Sequence, residues 1–258
     1  MNAVRSIATA FAFLTRIPTP VPGGDRLSAE QRIHRALLWF PLVGLAVGLI
    51  VGGVYLAVST LTESIVAAAV AVAVGVGVTG GFHEDGLGDT ADGFGGGWTV
   101  ARRLEIMRDS TLGTYGVLAI TCVLIIRVAA VSALTGLEAL AAIATAHLLA
   151  RNVAMAATVI ARPARSDGLA SSAGSVTRTR GPLLVFGAWT VVAGLIVGPG
   201  AAALMLGTAL LATVAVVRLA YRKIGGVTGD VLGAVEQVVE AAVLVTASIT
   251  WLDTCGLC

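Results

Sequence analysis

The chain has 258 residues, of which 57% are hydrophobic and 12% are charged, and its mean hydropathy is +0.92. This composition excludes an ordinary soluble domain and predicts an all-α, polytopic transmembrane helical bundle. The formal net charge of +2 does not support nucleic-acid binding. We expect one integral-membrane domain over residues 1–258, and a homo-oligomer is compatible with the composition.

The first 20 residues combine a short apolar stretch with basic residues. The stretch SIATAFAFLT lies between Arg5 and Arg16. It is similar to a signal peptide, but no small-residue cleavage site followed by a polar mature domain is present. We therefore predict a short amphipathic helix at the membrane interface, with a simple membrane anchor as the alternative.

Seven apolar segments follow, most of them long enough to cross a bilayer as a helix. They are residues 36–59, 64–82, 113–135, 137–161, 183–198, 201–219 and 230–252. The fifth is short, and Gly198-Pro199-Gly200 after it indicates a tight turn or a re-entrant pair. The sequence thus predicts about six or seven spans, together with short interfacial or cytoplasmic helices.

Basic residues sort to one side of the membrane if the N-terminus is cytoplasmic. Lys and Arg lie before the first predicted span and in every second connection after it. The connections near Glu63, Glu138, Gly198 and Asp253 carry none. This distribution predicts a multi-pass protein of the cell membrane with a cytoplasmic N-terminus. It also places residues 80–97 at the cytoplasmic face.

Residues 80–97 read GGFHEDGLGDTADGFGGG and carry the carboxylates Glu84, Asp85, Asp89 and Asp92. If the segment is helical, the three aspartates share one face. Like charges so placed repel each other unless a cation is held between them. Carboxylate oxygens are the ligands that Mg²⁺ prefers, so the four acids predict a magnesium site.

The first half of this segment recurs near the C-terminus. GGFHEDGLG at residues 80–88 aligns without gaps with GGVTGDVLG at residues 225–233, which matches Asp85 to Asp230. The first copy ends an apolar segment and the second begins one, which argues against duplication of a whole helix pair. One interpretation of this recurrence is chance similarity in a Gly-rich chain. The other is that the two copies form two acidic half-sites that face one substrate.

Two acidic half-sites suit a diphosphate, because Mg²⁺ bridges carboxylate and phosphate oxygens. Gln237 matches Asp92 in the same alignment and gives the second copy an oxygen ligand seven residues after Asp230. Gly80 and Gly81 would let the backbone approach the substrate closely. The N-D-x-x-D motif of UbiA-type prenyltransferases and the D-G-x-x-A-R motif of CDP-alcohol phosphotransferases do not occur in the sequence. Another Mg²⁺-dependent membrane diphosphate transferase stays an alternative.

Two arginines, Arg127 and Arg151, lie inside predicted spans. A cation at such a depth costs about 2.5–3.5 kcal/mol on insertion scales. In one interpretation, these arginines bind phosphate and take part in catalysis. In the other, they pair with Glu236 or Glu240 in the interior of the bundle.

Four segments together resemble the cobalamin synthases, which are adenosylcobinamide-GDP ribazoletransferases. They are FLTRIPTP at 13–20, the 80–97 segment, RRLEIMRDSTLGTYG at 102–116 and GGVTGDVLGAVEQVVE at 225–240. The resemblance runs nearly end to end, and the 80–97 segment is highly specific. It implies a polytopic, Mg²⁺-dependent membrane enzyme. Such an enzyme joins adenosylcobinamide-GDP to α-ribazole or α-ribazole 5′-phosphate and releases GMP.

The resemblance also implies roles for individual residues. Mg²⁺ held by Asp85, Asp89 and Asp92, with help from Glu84, would bind the GDP diphosphate. A base must take the proton of the ribose 5′-hydroxyl, and His83 or a carboxylate without metal would serve. The alternative for His83 is a polar residue at a helix end.

The pattern R-D-S-x-x-G-T-Y-G at residues 108–116 belongs to the same resemblance. Asp109 would complete the metal site, and Arg108 or Ser110 would contact phosphate. An amphipathic cytoplasmic helix explains the charged residues just before this pattern equally well.

Two further hypotheses stay open at this point. The basic loop 162–182 would close over the nucleotide, or it would only set the topology near anionic lipid headgroups. A cation- or proton-coupled transporter is the non-enzyme alternative, because intramembrane ionisable residues also mark ion paths. The acids of 80–97 lie at one face, which counts against a transporter, but Glu236 and Glu240 keep that hypothesis open.

Overall fold

The computed structural model describes residues 3–20, 28–165 and 181–255. Within these ranges the chain forms helices and no sheet, and one isolated β-bridge joins Pro163 to Val227. The predicted all-α fold is therefore confirmed. Most of the basic loop predicted at 162–182 lies outside the described residues.

The helices follow one another with short connections, and a 3₁₀ turn at Leu37–Trp39 joins the second to the third. In chain order they are α1 (Ala3–Leu14), α2 (Ala29–Ala36), α3 (Phe40–Ser59), α4 (Ser64–Thr79), α5 (Phe82–Gly96), α6 (Val100–Ile106), α7 (Thr114–Ser132), α8 (Gly136–Ile160), α9 (Gly181–Val197), α10 (Pro199–Ile224) and α11 (Gly229–Cys255).

Five helices in the described ranges are long and apolar enough to cross a membrane. They are Gln31–Ser59, α7, α8, α10 and the Gly229–Thr250 part of α11. The pair α4 and α5 passes the same test together, but the two helices meet at an angle of 89°. The pair is a broken span or a re-entrant loop. The count is thus five spans, or six with the bent pair, and the short predicted segment at 183–198 is the 17-residue helix α9.

Helix α8 occupies the centre of the bundle because α3 packs against it at very short range. Gly44, Gly48 and Gly52 follow each other at intervals of four and form one stripe on α3. A Cβ atom at Gly48 would lie 2.7 Å from the Cα of Ala144, so only glycine permits this approach. The close packing buries most of α8, including its ionisable residues His147 and Arg151.

The bend between α4 and α5 is made by Gly80 and Gly81. Their φ angles are 68° and 69°, in the left-handed region that favours glycine. The side chain of Arg16 packs against Gly80, and the backbone N–H of Arg16 donates to the carbonyl of Val78 at 2.7 Å. The residues that directly follow the predicted N-terminal helix, α1, thus pack against this bend. Gly80 and Gly81 were predicted to let the backbone approach the substrate closely. In the structure their role is to turn the chain between α4 and α5.

Candidate active site

The two copies of the glycine-acid motif occupy equivalent positions in the fold. In each copy the first glycine, Gly80 or Gly225, ends a helix in the left-handed conformation, and a new helix follows. The first copy thus ends a helix and the second begins one, as the sequence indicates, and in addition a helix begins in the first copy and one ends at the second. The two new helices, α5 and α11, pack together where Gly86 meets Gly233. A Cβ at Gly86 would lie 2.9 Å from the carbonyl oxygen of Asp230, so glycine keeps the two copies in contact.

This contact brings together carboxylates from both copies, Asp85 and Asp89 from α5 and Asp230 from α11. We call these three residues the acid cluster. Asp85 is exposed, and the other two are partly buried. The charges of Asp85 and Asp230 both act on the carboxylate of Asp89, and Asp85 also acts on Asp230. The acid cluster thus carries mutual repulsion, which a divalent cation would relieve.

Arg165 approaches the acid cluster from the segment after α8. Its Nη2 lies 3.5 Å from Oδ2 of Asp230, and its charge also acts on Asp89. The segment is anchored by paired backbone bonds, from Ala164 N–H to the Val227 carbonyl at 2.8 Å and from Val227 N–H to the Arg162 carbonyl at 2.9 Å. Sequence reasoning included Arg165 in the basic loop 162–182 but did not single it out, because its partner lies 65 residues away along the chain.

Asp92, predicted as a metal ligand, caps α7. Its Oδ2 accepts from the N–H of Gly113 at 2.7 Å, and its Oδ1 accepts from the N–H of Gly116 at 2.9 Å. A carboxylate at a helix N-terminus satisfies amides that have no partner within the helix and complements the helix dipole. Both oxygens of Asp92 are thus occupied by backbone donors.

Arg108, Asp109 and Ser110 lie in the exposed connection between α6 and α7. Oδ1 of Asp109 accepts from the backbone N–H of Thr111 at 2.9 Å and from its hydroxyl at 2.7 Å. These hydrogen bonds lower the pKa of the Asp109 carboxyl, since they favour its charged form. Asp109 thus stabilises the turn before α7. The charge of Arg108, by contrast, acts on Asp230, so Arg108 lies near the acid cluster.

A second charged region lies inside the bundle, behind the acid cluster. We call it the buried ion network, and it consists of Glu84, Arg127, His147, Arg151, Glu236, Gln237 and Glu240, all no more than 7% exposed. Helices α5, α7, α8 and α11 each contribute to it. Charged groups at this depth require partners, and the network supplies them from neighbouring helices.

Arg127 is the centre of one half of the buried ion network. Its Nη1 lies 3.2 Å from Oε1 of Glu84 and donates to Oε1 of Gln237 at 3.0 Å, while its Nη2 contacts Glu240. The Nε2 of Gln237 in turn donates to Glu84 at 3.1 Å. Glu84 and Gln237, both predicted to face the substrate, therefore hold Arg127. The pairing of Arg127 with an acid of α11 was one of the two interpretations that the sequence left open.

Arg151 is the centre of the other half. Its Nη1 lies 2.6 Å from Glu236, 3.3 Å from Nδ1 of His147 and 3.7 Å from Glu240. His147, Glu236 and Glu240 are, among the described residues, the one set of three potential metal ligands whose atoms lie within 4.8 Å of one another. Because the guanidinium group of Arg151 lies among them, this position already holds a cation.

A cavity of about 150 Å³ connects the two charged regions. Asp85 and Asp230 of the acid cluster contribute to its lining, as do Arg151 and Glu236 of the buried ion network. His83 lies between them on α5, is 6% exposed, and places its Nδ1 3.6 Å from Glu236. The predicted catalytic residues His83, Asp85 and Arg151 thus line one cavity. Arg127 lies behind it.

Comparisons with known proteins identify the family of this chain. The family model of cobalamin-5-phosphate synthase, CobS, matches residues 6–248. An adenosylcobinamide-GDP ribazoletransferase of Bradyrhizobium diazoefficiens is 41% identical over 250 residues, which cover 96% of this chain and 94% of that protein. One of Ralstonia pickettii is 37% identical, covering 98% of this chain and 100% of that protein.

Another relative, from Shewanella pealeana, is 36% identical over 250 residues, covering 94% of this chain and 95% of that protein. It bears the same name, adenosylcobinamide-GDP ribazoletransferase. No solved structure shows significant similarity to the chain. The family match extends over both copies of the motif and over every helix of the buried ion network. The chain therefore belongs to the cobalamin-5-phosphate synthase family.

Proposed function

We propose that this protein is an adenosylcobinamide-GDP ribazoletransferase that completes the nucleotide loop of cobalamin. A ribose hydroxyl that α-ribazole and its 5′-phosphate both carry would bond through its oxygen to the phosphorus next to cobinamide. The 5′-hydroxyl expected from the sequence does not meet this condition, because the 5′ position of α-ribazole 5′-phosphate already carries a phosphate. The bond from that phosphorus to the bridging oxygen would break, and GMP would leave. The observation that carries this proposal is the acid cluster, because the family's most specific motif supplies Asp85 and Asp89 and its second copy supplies Asp230.

The carboxylates of the acid cluster are the kind of ligand that a magnesium ion prefers, although the three do not all lie within 4.8 Å of one another. These carboxylates are hard oxygen ligands, and they come from two helices that are held together at Gly86 and Gly233. Glu84 and Asp92 fit a magnesium site less well. Arg127 already contacts Glu84, and the backbone amides of Gly113 and Gly116 already donate to Asp92. When bound, Mg²⁺ would neutralise charge on the diphosphate as the P–O bond breaks.

The chain's own residues would orient the substrates and move the proton. Arg165 and Arg108 supply positive charge beside Asp230, where a diphosphate would lie. His83 is placed in the cavity wall next to Asp85 and is the first candidate for the base that accepts the proton of the attacking ribose hydroxyl. A carboxylate of the acid cluster without metal is the second candidate.

The proposal includes a location. The distribution of Lys and Arg supports a multi-pass protein of the cell membrane whose acid cluster faces the cytoplasm. Nucleotide substrates are made there. Accessibility of a cysteine introduced at Ser110, measured in spheroplasts with a membrane-impermeant maleimide, tests the orientation, and labelling from outside the intact membrane would contradict it.

The activity test uses purified protein in proteoliposomes with adenosylcobinamide-GDP, α-ribazole and Mg²⁺. We expect GMP release that depends on both substrates and stops when EDTA removes the metal. Ion flux without GMP release would instead support a transporter. The buried ion network argues against that alternative, because its carboxylates are engaged by Arg127 and Arg151.

A further inference from the structure

The cavity that connects the two charged regions also has an apolar wall. Its lining includes Phe13 of α1, Phe40 of α3 and Phe82 of α5, besides the charged groups already described. Ligand pockets in proteins are lined mainly by apolar and aromatic side chains, with a few polar groups that fix orientation. The combination therefore describes a binding site for a molecule that is apolar in one part and polar in another.

The aromatic rings of this wall form a continuous surface that ends at His83. Phe13 stacks on Phe40 with ring centroids 5.8 Å apart and planes inclined by 16°. Phe13 also meets Phe82 edge to face at 5.2 Å, and Phe82 meets His83 in the same way at 5.2 Å. We call Phe13, Phe40 and Phe82 the aromatic wall. A ring system that packs against it would come close to His83 and to the acid cluster.

Phe82 is more exposed than a core residue. Phe40 is 7% exposed, whereas Phe82, which directly precedes the charged segment of α5, is 45% exposed. Burying its ring against an apolar ligand would remove that surface from water and would be favourable. The aromatic wall thus has an incompletely covered face beside the groups proposed to carry out the chemistry.

We propose that the aromatic wall binds the benzimidazole base of the α-ribazole acceptor and directs its ribose toward His83 and Asp85. This inference rests on the proposed function and assigns the acceptor subsite within it. The edge of dimethylbenzimidazole carries methyl groups, which suit phenylalanine rings. The edge of guanine carries hydrogen-bond donors and acceptors, which phenylalanine rings leave unsatisfied.

The size of the cavity agrees with this assignment. A volume of about 150 Å³ leaves room for a ring of the size of benzimidazole. The diphosphate of adenosylcobinamide-GDP would lie beside that ring, at the acid cluster. The acceptor hydroxyl would then approach the phosphorus from the aromatic wall, and the leaving GMP would lie on the opposite side, toward Arg165.

Equilibrium binding to the full-length protein in nanodiscs tests the inference without turnover. Isothermal titration calorimetry measures the Kd of α-ribazole alone and of GDP with Mg²⁺. In Phe82→Leu and Phe13→Leu the lost ring contact should raise the Kd of α-ribazole about three- to tenfold. The Kd of GDP should not change. Phe11→Leu is the matched control, since Phe11 lies on the same helix and packs against the same hydrophobic core as Phe13 but does not line the cavity.

The outcomes separate this inference from the proposed function. If the wild type releases GMP but both variants bind α-ribazole as the control does, the assignment of the subsite is wrong and the activity stands. A rise in the Kd of GDP instead would place guanine at the aromatic wall and overturn the assignment. A wild-type protein that neither binds α-ribazole nor releases GMP would overturn both. Unchanged thermal melting of the variants excludes a folding defect as the cause.

Discussion

Helix α5 carries charged residues with two different kinds of surroundings. Asp85 and Asp89 belong to the acid cluster, where the carboxylates repel one another. Arg165, which lies near this cluster, comes from the segment after α8. Glu84 lies on a buried part of the same helix and pairs with Arg127 at 3.2 Å. Two consecutive residues thus differ in role: the charge of Glu84 is compensated by Arg127, whereas Asp85 belongs to a cluster of carboxylates that repel one another.

The difference shows why adjacent acids in one motif need not share a role. A carboxylate cluster that is only partly compensated attracts a cation or a cationic complex, and the repulsion among its members favours binding. A compensated network inside a bundle stabilises the packing of its helices, and it places Arg151 and Glu236 in the wall of the cavity. We expect substitutions in the acid cluster to reduce activity and substitutions at Arg127 to reduce stability.

The largest expected effect is on stability, at Arg127. Arg127→Met leaves Glu84 and Glu240 buried without their partner, which should cost about 3–5 kcal/mol of unfolding free energy. Unfolding in mixed micelles with increasing SDS measures the loss. Arg102→Met is the control, because Arg102 pairs with Glu105 on an exposed surface at 2.9 Å. Equal stability of the two variants would show that the buried ion network is not structural.

The next largest effect is on activity, at Asp85. Asp85→Asn removes a charge from the acid cluster and should lower GMP release by about a hundredfold or more. Its thermal melting without ligand should stay close to wild type, since Asp85 is exposed. Asp109→Asn makes the same chemical change in the turn before α7 and should keep activity within about threefold of wild type. Similar losses in both variants would extend the catalytic site to that turn.

An intermediate effect is expected where α5 contacts α11. A methyl group at Gly86 would overlap the backbone of Asp230, so Gly86→Ala should cost about 1–3 kcal/mol and also reduce activity. Gly53→Ala is the matched control, because a Cβ there meets nothing within 4 Å. Thermal melting and GMP release are measured for both variants. A Gly86→Ala protein that behaves like Gly53→Ala would contradict the close contact between the two motif copies.

The smallest effect concerns the pH dependence of stability at Asp109. Hydrogen bonds from Thr111 lower the pKa of Asp109 in the folded protein. Its stabilising contribution is therefore present above the ordinary aspartate pKa and is lost as the pH falls through the lowered value. The difference in melting temperature between wild type and Asp109→Asn should be small at pH 6 and should decrease further as the pH falls below about 4. A difference that grows on acidification would contradict the assignment.

Much of this protein could be predicted from local sequence patterns. Apolar segments indicated the helices, and the recurrence of Gly-Gly-x-x-x-Asp-x-Leu-Gly indicated that Asp85 and Asp230 belong to equivalent half-sites. One of the two interpretations of Arg127 and Arg151 was that they pair with Glu236 or Glu240. The structure shows this pairing. The roles of Glu84 and Asp92 could not be predicted in the same way, because their partners Arg127 and Gly113 belong to other helices.

Composition and motif spacing by themselves determined that the chain is a helical membrane protein of a specific family, with four acids collected within one short segment. They could do so because hydropathy and motif identity depend only on the order of residues. Tertiary structure alone decided which acids keep an available charge. Two glycines turn α5 by 89°, so that Asp85 and Asp89 point to Asp230 while Glu84 meets Arg127. Whether a carboxylate is compensated depends on which helix packs against it, and that information lies in contacts between distant segments.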